Sequence, residues 1–225
     1  MSPEWLVNGI VQYVVLIFSM TLHEAAHAWW AKRSGDTTAY LGGQVSLDPI
    51  PHIQREPVGM VLIPILTYVM NGWMMGWASA PLSMSWIINN PRRAAAVSLA
   101  GPLANLAVAV TAGFAIRALV SSGSIPFDSL YGVGANGIES GLGSVLFAFF
   151  FLNTLLFVYN LLPIPPLDGA SALGLFLSEE AAARLQMTIR QPMVALMGFA
   201  MFIMVGGRLA WPIISLLQSL LFVGM

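Results

Sequence analysis

Residues 21–30 read TLHEAAHAWW. They close a run from Trp5 to Ala31 whose only ionisable side chains are His23, Glu24 and His27, before Lys32, Arg33 and the sequence SGD (34–36) end it. A helix over 5–31 is about 40 Å long, more than the roughly 30 Å of hydrocarbon that a membrane span must cross. The run therefore reads as a span, and it carries three ionisable groups within five residues. A charged group at mid-bilayer costs about 2.5–3.5 kcal/mol, so such residues mark function by default. A lone histidine there reads as a hydrogen-bonded polar residue of the bundle interior; three ionisable groups so close together do not.

The composition agrees with a membrane protein. Of 225 residues, 57% are hydrophobic and only 8% charged, whereas a soluble domain carries about 25% charged residues. Mean hydropathy is +0.78. The net charge of −1 offers no basic face for nucleic acid. The chain has no cysteine, which excludes disulfides and thiolate metal sites. The N-terminal MSPEWLVNG lacks the basic region of a cleavable signal, so the first span is expected to be retained.

On a helix, residues four apart are offset by about 40° and share a face. His23 and His27 can thus hold one metal ion. Glu24 is offset by about 100°, close enough to act on water but poorly placed to ligate. This is H-E-x-x-H, the helix-borne zinc pattern with Glu as general base. A catalytic zinc takes three protein ligands and keeps one position open. His52 and Asp48 are available, but Asp168 is the stronger candidate. It follows an uncharged run in NLLPIPPLDGA (160–170), where Pro163, Pro165 and Pro166 break the helix. Unwound backbone at membrane depth is tolerated where it lines a cavity.

The remaining organisation is marked by scarce charges. Spans are expected at about 5–31, 94–117, 140–162, 192–207 and 209–224, the last two split by Arg208. A turn-rich linker covers 121–138, and an amphipathic helix covers 178–191. Residues 57–91 carry no charge and form either an extra span or a re-entrant pair turning near NGWMMGW (71–77). Basic residues favour the cytoplasmic side. Lys32, Arg33 and Arg55 lie there, and re-entry would keep Arg92, Arg93 and Asp168 at the same level. The fold class is all-α and polytopic, with about five to six transmembrane helices, a re-entrant segment and a short β-like stretch near 40–48. Residues 1–225 read as one membrane-embedded domain.

Four segments in order resemble the site-2 protease family of intramembrane zinc metalloproteases: HEAAHA (23–28), GGQVSLDPIPHI (42–53), NPRRAAAVSLAGPLANL (90–106) and NLLPIPPLDGA (160–170). The resemblance implies one zinc per chain held by His23, His27 and Asp168, with Glu24 as catalytic base. It implies that Asn160 contacts the substrate backbone or oxyanion, and that the 40–48 segment, with Gly43, offers a strand edge to an unwound substrate. Ala170 stands where relatives often carry Gly or Ser. The expected form is a minimal one without a PDZ or nucleotide-sensing domain. Expected partners are transmembrane substrates and the lipid bilayer, in a prokaryotic plasma membrane. The rivals are a metal carrier, disfavoured by the single unrepeated cluster, and a scaffold with structural zinc, which would need four protein ligands.

Overall fold

The computed structural model describes residues 3–131 and 138–223. Residues 132–137 of the expected linker, and residue 224 of the expected last span, lie outside the described residues. Helix α1 (Pro3–Ser34) contains the whole apolar run. Gly35, at φ +104°, terminates it in a conformation that L side chains rarely adopt. There the N–H groups of Gly35 and Asp36 donate to Lys32 O and Ala31 O at 3.2 and 2.9 Å. Asp36 Oδ1 then accepts from the main chain and hydroxyl of Thr38, at 2.9 and 2.6 Å, which starts the short α2 (Thr38–Leu41).

Residues 40–48 differ from the expected β-like stretch: they form no strand. Helix α2 ends at Leu41, Gly43 turns the chain at φ +75°, and bends follow. Ser46 Oγ and Asp48 Oδ1 accept main-chain N–H groups two residues on, at 3.0 and 2.9 Å, and such local bonds compete with strand pairing. Helix α3 (Ile50–Arg55) follows and buries His52.

The uncharged 57–91 segment goes up and comes back beside α1. A wide turn at Val58–Leu62 leads into α4 (Ile63–Asn71), 14 apolar residues in all, or about 21 Å and too short to cross. Gly72, at φ +71°, reverses the chain, and residues 74–83 return without helix or strand. The far end is tied to the start of α1: Tyr68 Oη donates to Trp5 O at 2.5 Å, and the Met74 N–H to Gln12 Oε1 at 3.4 Å. The return end is tied to the end of α1, where the Ser83 N–H donates to Asp36 Oδ2 at 2.7 Å.

Helices α5 (Met84–Asn89), α6 (Pro91–Ser121), α7 (Ile138–Asn160), α8 (Asp168–Ala172) and α9 (Glu179–Ile189) follow. Finally α10 (Pro192–Met201) and α11 (Gly207–Phe222) join through one π-type turn. Residues Pro192–Leu221 thus form one helix of 30 residues, where the sequence suggested two spans split by Arg208. Arginine is a good helix former, so a single charge does not break the helix. Among the described residues four helices are long and apolar enough to cross: Pro3–Ser34, Pro91–Ser121, Gly141–Asn160 and Pro192–Leu221. The molecule is an all-α membrane protein.

Helices α1, α6 and α7 pack together. Val15, Leu16 and Met20 of α1 meet Leu152 of α7, Met60 of the Val58–Leu62 turn and Met74 of the returning segment. On the other side Ala109, Ala112 and Ile116 of α6 meet Phe150 of α7. Alanines let helix backbones approach closely where no water is expelled to drive association.

Candidate metal centre

Helix α1 places His23 and His27 on one face, both 6% exposed. The proline-rich break after α7 brings Asp168, at the first turn of α8, against them. His23 Nε2 and His27 Nε2 lie 3.0 Å apart, and Asp168 Oδ2 lies 3.0 and 3.2 Å from them. These three are the only group of metal-ligand side chains of this kind among the described residues.

The opposite ring nitrogens are engaged. His27 Nδ1 lies 2.8 Å from Val97 O, which can only accept, so Nδ1 carries the proton. His23 Nδ1 lies 2.5 Å from Asn105 Oδ1. That oxygen is assigned because Asn105 Nδ2 donates to Ser19 O and Asn153 Oδ1, at 3.2 and 2.8 Å. Asn153 Nδ2 in turn donates to Ser19 Oγ and Phe149 O, at 2.9 and 2.8 Å. With both Nδ1 atoms donating, each neutral ring turns an Nε2 lone pair inward. Two lone pairs and a carboxylate oxygen then face one another at about 3 Å, an arrangement only a cation or protons can stabilise. Gly101 on α6 closes the cradle, since a Cβ there would overlap Nε2 of both histidines. Donor set, tautomers and space all fit a zinc ion.

Glu24 shares the cleft and is 6% exposed, yet makes no hydrogen bond or ion pair with any described residue. The cleft is about 420 Å³ and is also lined by Asn160, Ser98, Arg190 and residues of the returning segment. Asn160 donates through Nδ2 to Leu156 O at 2.9 Å, and its oxygen has no hydrogen-bond partner among the described residues. His52 lies elsewhere, its Nε2 donating to Ser46 O at 3.1 Å. No residue of 40–48 lines the cleft, so Gly43 is not brought to it. Ala78, Ser79, Ala80 and Leu82 line it instead, in backbone that is neither helix nor strand. The main-chain groups of Ala78, Ala80 and Leu82 have no hydrogen-bond partner among the described residues. The segment is held from outside the cleft, by Arg55 Nε on Ser79 O at 3.0 Å and by Ser79 Oγ on Glu56 at 2.5 Å.

Arg190, just past α9, is the one permanent cation of the lining. Burial pushes its guanidinium below its ordinary pKa, and the nearby Asp168 carboxylate acts in the opposite direction. Residue type and spacing alone assign no role to Arg190, Asn105, Asn153 or Gly101, although Gly101 and Asn105 fall in the 90–106 segment that carries the family resemblance. The asparagines had left a signal, as unpaired amides inside uncharged spans.

Comparison with known proteins finds relatives of the chain. The family description "Peptidase family M50" matches residues 120–205, which include Asn160 and Asp168. The "Putative zinc metalloprotease YwhC" of Bacillus subtilis is 35% identical over 157 residues, covering 69% of this chain and 64% of that protein. The chain is similar to peptidase family M50, the site-2 protease family. Another relative is "Putative zinc metalloprotease Rip2" of Mycolicibacterium smegmatis, 34% identical over 164 residues, or 73% of the chain and 56% of the relative. Rip2 of Mycobacterium tuberculosis is 35% identical over 157 residues, or 70% and 53%. The chain therefore spans roughly half to two thirds of the length of these relatives. No solved structure matches it.

Proposed function

We propose that this chain is an intramembrane zinc endopeptidase that hydrolyses peptide bonds within or near the transmembrane segments of other membrane proteins. The observation that carries the reading is the pairing of an inward-facing His–His–Asp cluster with an unpartnered Glu24 in the same cleft. His23, His27 and Asp168 would hold zinc, whose chemistry is Lewis acidity and a lowered pKa for water. Asn105 and Val97 O fix the ring orientations, and such outer partners support a metal site almost as strongly as the ligands do. Glu24, with no partner to satisfy it, takes a proton from the attacking water and returns it to the departing amine.

The substrate must arrive unwound, because a helix hides its carbonyls in its own hydrogen bonds and each freed group in lipid costs several kcal/mol. The free main-chain groups at 78–82 offer replacement partners by strand addition, the role sequence reading gave to 40–48. Asn160 offers a further polar contact. Gly, Pro or Asn near the cut should speed cleavage, since Gly in place of Ala lowers the unwinding cost by about 1 kcal/mol. Replacing them with Leu should slow cleavage of tagged single-span reporters without reducing their co-purification with the enzyme; equal rates would rule out unwinding as the limiting step.

The decisive variant is Glu24→Gln. A peptidase keeps one zinc per chain by metal analysis and loses reporter cleavage. A carrier or a scaffold would be little changed by it, and cleavage at the wild-type rate would end the peptidase reading.

A further inference from the structure

Arg190 occupies an unusual position for an arginine. It is half-buried, shares the metal cleft, and is in no ion pair with a described residue. One nitrogen, Nη1, is spent on Gln186, donating to its main-chain oxygen at 3.3 Å and to its side-chain oxygen. Gln186 is fully buried and is itself fastened to Ser171. Its Oε1 accepts from Ser171 Oγ at 3.0 Å, and its Nε2 donates to Ser171 O at 3.1 Å. Ser171 lies one turn after Asp168 on α8. The guanidinium is thus fixed to the same short helix that delivers the carboxylate ligand. Its Nε and Nη2 donors have no acceptor among the described residues.

We infer that Arg190 is a catalytic residue whose free N–H groups bind the oxygen of the scissile carbonyl as it gains charge. The inference rests on the peptidase reading above and adds a charge balance to it. Two carboxylates, Glu24 and Asp168, offset a divalent ion, so Arg190 supplies the positive charge left over for an incoming anion. In the step itself, the water oxygen bonds to the carbonyl carbon, the C=O π pair moves onto oxygen, and Glu24 takes the water proton. Arg190 donates to that oxygen while the charge resides there. The pair then returns, the C–N bond breaks, and nitrogen takes the proton from Glu24. The resulting acid and amine exchange a proton to leave carboxylate and ammonium. Preorganised donors aimed at a developing oxyanion lose about 10²–10³-fold in kcat when one is removed.

The test starts with wild type and Glu24→Gln on a tagged Leu/Ala single-span peptide with a central Gly-Asn pair. Cleavage by the first and not the second upholds the peptidase reading independently of Arg190. Arg190→Gln and Arg190→Lys are then purified, with zinc content and thermal unfolding measured alongside. The expected result is a kcat lower by about 10²–10³-fold for Gln, with zinc retained and KM within threefold, and partial recovery for Lys. A phosphinic peptide analogue, whose tetrahedral anion mimics the charged state, should bind Arg190→Gln more weakly by the same factor. The intact peptide should bind equally well to Glu24→Gln with and without Arg190→Gln. Loss of zinc in both Arg190 variants would show that Arg190 only braces Asp168 and would overturn the inference. So would a raised KM at unchanged kcat, or unchanged affinity for the analogue. If Arg190→Gln does not fold, Arg190→Lys decides alone, through its kcat and its affinity for the analogue.

Discussion

Gly101 sits where any side chain would collide with the two imidazoles. His23 and His27 cannot swing aside, because Asn105 and Val97 O hold their far nitrogens. Gly101→Ala should therefore lower zinc affinity at least tenfold while leaving the helices intact, as measured by competition with a chelator and by circular dichroism. Asn105→Leu should lower zinc affinity by about 10–100-fold, the usual effect of removing a partner of a ligating histidine. It also leaves the buried Asn153 Oδ1 without its donor, at a cost of about 1–3 kcal/mol for an unsatisfied acceptor. An unaltered affinity in either variant would mean that the rings are not held as described. At this scale the sequence revealed most where chemistry fixes spacing. His23, Glu24 and His27 could be read because four residues return a helix to the same face. The contacts of Asn105 and Gly101 could not, although both lie in the 90–106 segment, because their histidine partners are 74–82 positions away along the chain and no local period connects them.

Helix boundaries were legible wherever a backbone rule applied. Gly35 stops α1, the 163–166 prolines separate α7 from α8, and Ser178 caps α9 by accepting from the Ala181 N–H at 3.3 Å. Two misreadings have physical causes. Arg208 was taken as a boundary although an exposed arginine fits within a helix. The 40–48 stretch is not the expected β-like one because Ser46 and Asp48 bind main-chain N–H groups locally. Residues 78–82 left no periodic signal at all, since an irregular segment without a paired neighbour is recognised only by what surrounds it. Just before this segment, Trp77 packs on the Val58–Leu62 turn at Gly59, where a Cβ would overlap Trp77 O. Gly59→Val should therefore push the returning segment outwards. Because Gly59 lies outside the metal cluster, zinc content should stay at one per chain while reporter cleavage falls at least tenfold. Loss of zinc together with cleavage would show that the two parts are not separable.

The helices of the whole molecule place chemically related segments at one level. The end of α1, the return of the 74–83 segment and the loop before α9 lie together, through Asp36 on Ser83 and through Arg92 Nη2 on Leu175 O at 3.1 Å. Helix α6, about 46 Å long, carries Ser122 to the opposite end. Cysteines placed at Leu41 and Ser178, both exposed, should be labelled from the cytoplasm, and one at Ser122 from outside. A chain without native cysteine gives no background. Labelling of Ser178→Cys and Leu41→Cys from different sides would refute this arrangement. The distance in sequence between the proposed ligands has a further consequence, for biogenesis. Asp168 follows His27 by 141 residues. At about 5–20 residues per second, a ribosome needs roughly 7–28 s to cover that interval. Throughout it the nascent polypeptide holds two imidazoles and no carboxylate partner, so the translocon that receives it meets an unfinished centre.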